Sequence, residues 1–203
     1  MKLKLIEIAL FLSLFISVVS CLSFENDCES IRGKVLRLHV IANSDTEADQ
    51  SLKLKVRDII LSESEEIFTA AESLDTAESE IKKAIPIIEE CAEKAVRNEG
   101  FSYNVTVRYE PSYFPTKTYE NVTLPAGNYK SLKVIIGEGE GRNWWCVLFP
   151  PMCLSAAMKE EEVLSAILTE DELSLVSSKP KYEVRFWIVE KLQEFKRSYK
   201  SKH

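Results

Sequence analysis

The spacing of hydrophobic and polar residues predicts a strand that leads directly into a helix. In residues 34–42 the chain alternates with period two and β-branched residues are frequent, which is typical of a strand. Ser44, followed three residues later by Glu47, predicts a capping box, in which the hydroxyl and the carboxylate satisfy free backbone N–H groups at a helix start. Apolar residues then recur at helical spacing from Leu52 onward.

A second helical segment covers residues 62–98 and is rich in acidic side chains. Its apolar positions recur every three or four residues, which predicts one buried stripe. Pro86 should kink or divide this segment because proline has no backbone N–H, and Gly100 is a suitable terminator.

After Gly100 the period changes to two, which predicts strands in residues 103–109, 130–136 and 143–149. The glycine-rich residues 137–141 separate the last two and can supply turn conformations with positive φ. Residues 154–176 predict a further helix, and the chain ends in a basic amphipathic helix. The apolar face of that last helix carries Val184, Ile188, Leu192, Phe195 and Tyr199.

These elements predict one α+β domain over residues 24–203, with a short polar linker near residues 24–30. We expect a small mixed or antiparallel sheet packed against helices.

The N-terminus predicts export. Lys2 and Lys4 precede an apolar run in residues 8–19, which is the pattern of a secretory signal. The run is shorter than the roughly 20 residues of a membrane-spanning helix. Residues 1–22 are therefore interpreted as a signal peptide or a membrane anchor. Cys21 follows small residues as in a lipoprotein cleavage site, so both lipidation of Cys21 and a chance cysteine remain open.

Charge limits the classes of partner. The formal net charge is −6, and an acidic protein is repelled by phosphate backbones, so no nucleic-acid partner is expected. The basic last helix leaves a membrane surface open as a partner, although docking of its apolar stripe on the domain is the more ordinary use of such a helix.

The predicted export bears on the five cysteines, because the cysteines of exported proteins tend to form disulfides. Cys146 and Cys153 lie close in sequence with two prolines between them, which predicts a disulfide. A pair between Cys28 and Cys91 follows only from counting and stays open.

Catalytic and metal-binding patterns are weak. The chain has two histidines, His39 and the terminal His203, and its cysteines have neither zinc-site nor redox spacing, so no metal or cofactor is expected. His39, Ser44 and Asp45 are a weak hydrolase hypothesis, because Ser44 already has a role in capping.

Two long segments, residues 37–58 and 114–153, are more specific than any of these motifs. The first contains RLHVIANSD at residues 37–45 and DQSLKLKVRD at residues 49–58. The second contains FPTKTY at residues 114–119, LPAGNY at residues 124–129 and IGEGEGRNWWCVLFPPMC at residues 136–153. In order and separation, both resemble the signature segments of the stage II sporulation protein R family.

The resemblance implies a role in endospore formation. Proteins of this family are made in the forespore and exported to the space between the two septal membranes. There they activate a membrane-embedded aspartic protease of the mother cell, which processes the precursor of sigma factor E. The chain would then be a ligand without catalytic chemistry of its own. The alternatives are an extracytoplasmic hydrolase that uses His39 and Ser44, and a scaffold or binding domain of the cell envelope.

A partner-binding surface is expected where aromatic side chains concentrate, because such side chains contribute most to binding energy. Adjacent strand residues point to opposite faces, so at most one of the two neighbouring tryptophans should be buried. The candidates are Trp144, Trp145, Phe149, Pro150 and Pro151, together with His39, Asn43 and Asp45 at the strand-to-helix turn.

Overall fold

The chain folds around a four-stranded mixed sheet with strand order β2-β5-β1-β6. The computed structural model describes residues 2–119, 121–153, 160–177 and 183–200. The elements are α1 (Lys2–Lys34), β1 (Leu36–Ile41), α2 (Glu47–Ala70), α3 (Leu74–Asn98), β2 (Val105–Phe114), β3 (Lys117–Tyr119), β4 (Val122–Leu124), β5 (Gly127–Ile136), β6 (Asn143–Phe149), α4 (Glu160–Ser165), α5 (Glu170–Val176) and α6 (Glu183–Lys200). Strand β1 is parallel to β5 and antiparallel to β6, and β2 is antiparallel to β5. The predicted α+β fold with a small mixed sheet is confirmed.

The predicted polar linker near residues 24–30 is wrong, because helix α1 occupies these residues. The helix continues through residues 24–30, and Phe24, Cys28 and Ile31 are buried. These three residues are spaced by four and three, so they lie on one face of the helix and pack into the domain. The apolar part that precedes them is exposed and is long and apolar enough to cross a membrane. The apolar helix is consistent with the predicted signal or anchor.

Helices α2 and α3 cover one face of the sheet, to which β1 contributes Leu36, Leu38 and Val40. The predicted start of α2 is wrong by two residues. Thr46, not Ser44, caps the helix, because its hydroxyl accepts a hydrogen bond from the Asp49 backbone N–H at 3.3 Å.

Helix α3 continues through Pro86, so the proline does not divide the helix. The side chains of Pro86 and Lys82 are exposed, and water can bond the Lys82 carbonyl that the proline leaves free. The break in the predicted stretch instead lies before Ser73, whose hydroxyl caps α3 by accepting from the Thr76 N–H.

The opposite face of the sheet is covered by the inner half of α1, the β3–β4 hairpin and helices α4 and α5. Glu172 in α5 connects two of these elements, since its carboxylate accepts hydrogen bonds from Lys34 at 2.6 Å and from Ser30 at 2.6 Å. Although burial opposes ionisation, these bonds lower the pKa of Glu172 to about 2. The carboxylate is therefore ionised at neutral pH and holds α5 to the end of α1.

The last helix, α6, packs beside α1. Val189 is buried and Gln193 donates a hydrogen bond to Glu25 at 2.8 Å, whereas Leu192 and Phe195 of the predicted apolar face are exposed. The side chains of Val184, Ile188 and Tyr199 lie outside the described residues. So do residues 154–159 of the segment predicted to be helical, in which α4 and α5 are found.

Candidate functional site

The two signature segments meet first at the end of the sheet, where residues 42–49 hold the turn at residues 137–142. We call this set of hydrogen bonds the Asn43 clasp. The Asn43 side-chain oxygen accepts from the Glu138 N–H at 3.0 Å, and the Asn43 carbonyl accepts from the Glu140 N–H at 3.2 Å. Asp45 accepts from the Arg142 N–H at 2.7 Å. The predicted candidates Asn43 and Asp45 therefore fix the turn.

A buried carboxylate supports the clasp from helix α2. Asp49 accepts hydrogen bonds from the Ser44 hydroxyl at 2.5 Å and from the Asn43 side-chain amide at 2.9 Å. The bond from Ser44 contributes most to holding the pKa of Asp49 below its usual range. Asp49 thus remains ionised and keeps the β1–α2 loop in one conformation.

Glycine is required in the clasp for two different reasons. Gly137 has φ of 58°, as predicted for this turn, and a Cβ there would lie 2.2 Å from the Asn43 side-chain oxygen. A Cβ on Gly141 would lie 2.2 Å from the Ser44 backbone oxygen. The first glycine permits a left-handed backbone, and the second permits close approach of two backbones.

The second meeting point is a buried arginine on the face of the sheet that the β3–β4 hairpin covers. Arg37 is fully buried, and its guanidinium carbon lies 4.1 Å from the centre of the Phe114 ring, 4.8 Å from that of Tyr129 and 5.7 Å from that of Tyr119. Its Nη2 donates to the Tyr119 hydroxyl. We call these four residues the Arg37 cage. The first signature segment supplies the cation and the second supplies the three rings.

Several buried polar atoms around the cage have no hydrogen-bond partner among the residues that the structure describes. They are Nε and Nη1 of Arg37, Nδ1 of His39, Oγ of Ser112, Oγ1 of Thr116 and Nε1 of Trp145. All belong to the same side of the sheet or to the turn after Phe114. Buried polar atoms are rarely left without partners, so this concentration distinguishes the cage from the rest of the core.

His39 lies beside the cage and is nearly buried, with its ring 5.7 Å from that of Phe114 and 6.1 Å from that of Trp145. Its Nε2 donates to the Asn143 side-chain oxygen at 2.7 Å, which leaves Nδ1 as an acceptor. Burial lowers the pKa of His39 from its ordinary value of 6.5, and the charges of Lys133 and Arg37 lower it further. The imidazole is therefore neutral at pH 7.

This burial predicts a loss of stability in mild acid. The unfolded chain binds a proton at this histidine near pH 6.5, whereas the folded chain resists it. The contribution of His39 should thus be complete above pH 6.5 and decrease as the pH falls below that value. Urea unfolding measured at about pH 7.5 and about pH 5.5 gives the decrease in the free energy of unfolding caused by acid. This decrease should be smaller for His39→Gln than for the unmodified chain. His203 is present in both and serves as the internal control. Equal acid losses would contradict the prediction.

The two tryptophans lie on opposite sides of β6, as predicted, and both are half-buried. Trp144 packs against the α2–α3 side, where the guanidinium carbon of Arg57 lies 4.7 Å from the centre of its ring. Trp145 packs on the side of the Arg37 cage. Only Trp145 therefore belongs to the region where polar atoms lack partners.

The proline bend is less accessible than predicted. Phe149 and Pro150 are buried and joined by a cis peptide bond, whereas Pro151 is half-buried. Phe149 packs into the core between the sheet and α2–α3. Contact of these candidate residues with a partner stays a prediction, but Phe149 and Pro150 offer no exposed surface for it.

The cysteines follow the predicted pairing in part. Cys146 and Cys153 lie at disulfide distance, with their Cα atoms 6.3 Å apart. Cys28 and Cys91 are both free: Cys28 is buried under the hairpin side of the sheet, and Cys91 lies on α3. Cys21 lies on α1 and is half-buried where α1 faces α6, and its lipidation stays a prediction.

The hypothetical hydrolase residues are not joined. Ser44 donates to Asp49, whereas His39 bonds to Asn143 on another part of the sheet. Within the part of the chain that the structure describes, no group of three or more His, Cys, Asp or Glu side chains could hold a metal ion.

The predicted site residues did not include Arg37, Phe114, Tyr119 or Tyr129, although each lies in a quoted signature segment. Their common feature is position: Arg37 and Tyr129 point to the same face of two neighbouring strands. An arginine in the middle of an apolar strand was the signal, because such a residue must be solvated or given partners.

Comparison with known proteins identifies similar chains. The family model described as Stage II sporulation protein R (spore_II_R) matches residues 32–159. The stage II sporulation protein R of Bacillus subtilis (strain 168) is 36% identical over 143 residues, which make up 68% of this chain and 64% of that protein. The match thus spans less than two thirds of that relative's length. No solved structure matches the chain.

Proposed function

Since the chain belongs to the stage II sporulation protein R family, we propose that it carries a signal between the two compartments of the sporulating cell. In this proposal it is exported from the forespore into the intermembrane space. There it activates a membrane-embedded aspartic protease of the mother cell, which processes the sigma factor E precursor. Its sporulation role follows from the family, and the partner and the site of action are the proposed part.

The exposed apolar half of α1 supports export. It is consistent with a signal or an anchor, and either would place the domain outside the cytoplasm. Helix α1 continues into buried Phe24 and Ile31, so an uncleaved segment would hold the domain close to the bilayer.

The Arg37 cage is the observation that carries the proposal of a binding function. Both signature segments contribute to it, and it keeps a buried charge beside polar atoms without partners. Such an arrangement costs stability. A surface that recognises another molecule gives a reason to keep it, whereas the Asn43 clasp is explained by the fold alone.

The proposal is tested by expressing the full chain with the protease and the sigma factor precursor in a bacterium that does not sporulate. The exported full chain should cause processing of the precursor. A matched variant that lacks residues 2–20 keeps Phe24, Cys28 and Ile31 but has no export segment, and it should cause none. Absence of processing with a folded, exported chain, or equal processing by the variant retained inside the cell, would overturn the proposal.

A further inference from the structure

We propose that the Arg37 cage binds a carboxylate group carried by the partner polypeptide. The identity of the partner rests on the proposed function. The ligand chemistry rests on the donors and the charge of the cage.

The unpartnered atoms are mostly donors. Nε and Nη1 of Arg37 and Nε1 of Trp145 can only donate hydrogen bonds, and the hydroxyls of Ser112 and Thr116 can donate as well. His39 Nδ1 is the one atom of this set that can only accept, given its bond to Asn143. A ligand that completes these bonds must therefore supply acceptors.

The charge of Arg37 is also uncompensated. Among the described residues no carboxylate is within ion-pair distance of Arg37, and the nearby Lys133 is paired with Glu110 at 3.0 Å. Arg32, the other largely buried arginine of the α1–β1 region, shows the contrast. Its guanidinium donates to Glu25 at 3.1 Å, to Glu29 at 2.7 Å and to the Ala126 carbonyl at 2.9 Å. The same domain thus pairs one buried arginine completely and leaves the other open.

The size of the uncompensated charge selects the ligand class. A single guanidinium carries one positive charge, which the one negative charge of a carboxylate neutralises. A phosphate with close to two negative charges would bring a second charge for which the cage has no cation.

The cage borders the surface at one side. Trp145, Thr116 and Tyr119 are half-buried, whereas Arg37 and Phe114 are fully buried. A carboxylate would therefore have to enter on the side of Trp145 and the β2–β3 turn, where Nε1 of Trp145 and Oγ1 of Thr116 are further donors without partners among the described residues.

The test is an NMR titration of the full chain in detergent micelles, with ¹⁵N labels on arginine and tryptophan. The probes are N-acetylaspartate amide for a side-chain carboxylate, N-acetylglycine for a chain end, and N-acetylasparagine amide as the neutral control. At least one carboxylate should shift the Arg37 Nε–H and Trp145 indole resonances saturably, and the neutral control should not. The indole of Trp144, on the opposite side of β6, should remain unchanged.

Arg37→Met should weaken this binding about tenfold or more, because it removes the guanidinium charge and the hydrogen bonds that it assists. Arg142→Met, which removes an exposed arginine instead, should bind as the unmodified chain does. No saturable shift with either carboxylate, or equal affinity in Arg37→Met, overturns the inference. The titration contains no protease, so a negative titration with intact precursor processing refutes the carboxylate site alone. A positive titration without processing refutes the proposed function and leaves the site.

Discussion

Gly141→Ala should lower the free energy of unfolding by about 3 kcal/mol, the upper part of the range for overpacking a rigid site. The added Cβ would lie 2.2 Å from the Ser44 backbone oxygen and 2.9 Å from the Cβ of Ala42. The Gly141 N–H already bonds the Ala42 carbonyl at 2.9 Å, so the turn cannot move away without losing that bond. Relaxation therefore has to open the Asn43 clasp.

Two other glycines provide matched controls for this prediction. Gly33 lies exposed in α1 with nothing within 4 Å of an added Cβ, so Gly33→Ala should stabilise the chain by about 0.5–1 kcal/mol through helix propensity. Gly100 has an open surrounding but φ of 83°, so Gly100→Ala measures backbone strain without a clash. Urea unfolding of the three variants should give Gly141→Ala a much lower free energy of unfolding than the other two. A Gly141→Ala variant as stable as Gly100→Ala would show that the two backbones can separate at little cost.

Local pattern predicted much of the fold but not the depth of burial. The period-two segments became β1, β2, β5 and β6, and the acidic apolar stripe became α2 and α3. Both signals come from neighbouring residues, whose spacing directly sets which face they occupy. The linker prediction failed because residues 24–30 are polar on average, whereas Phe24, Cys28 and Ile31 form a narrow apolar stripe.

The candidate site depended on contacts that sequence spacing does not encode. Alternation along β1 put Arg37 and His39 on the face opposite Leu38, and this is where they lie. Arg37 is covered in part by the β3–β4 hairpin, whose strands have three residues each and are too short for a recognisable period. The bond from Arg37 to Tyr119 joins positions 82 residues apart. The resemblance marked both segments, but only the folded chain showed that they meet.

The size of the stability change in Arg37→Met separates a structural cage from a recognition site. The substitution removes the ring contacts of the guanidinium, which are worth about 0.5–2 kcal/mol each when desolvated. It also removes the desolvation cost of a buried charge and two donors whose missing bonds cost about 1–3 kcal/mol each. These effects oppose each other, and a flexible methionine of similar length can fill the space. We expect the free energy of unfolding to change by no more than about 1 kcal/mol.

Processing of the sigma factor precursor should nevertheless be lost in Arg37→Met, because the variant keeps the shape of the cage without its charge. Arg32→Met provides the opposite control. Removing Arg32 breaks the hydrogen bonds of a buried cation to Glu25, Glu29 and the Ala126 carbonyl, so that variant should lose about 3 kcal/mol of stability. If it is expressed at a temperature where it remains folded, it should still support processing. Urea unfolding and precursor cleavage should therefore give opposite results for the two variants. Arg37→Met should keep its stability and lose processing, whereas Arg32→Met should lose stability and keep processing. A large stability loss in Arg37→Met, with processing retained in proportion to the folded fraction, would mean that the rings and the guanidinium hold the hairpin and have no role in recognition.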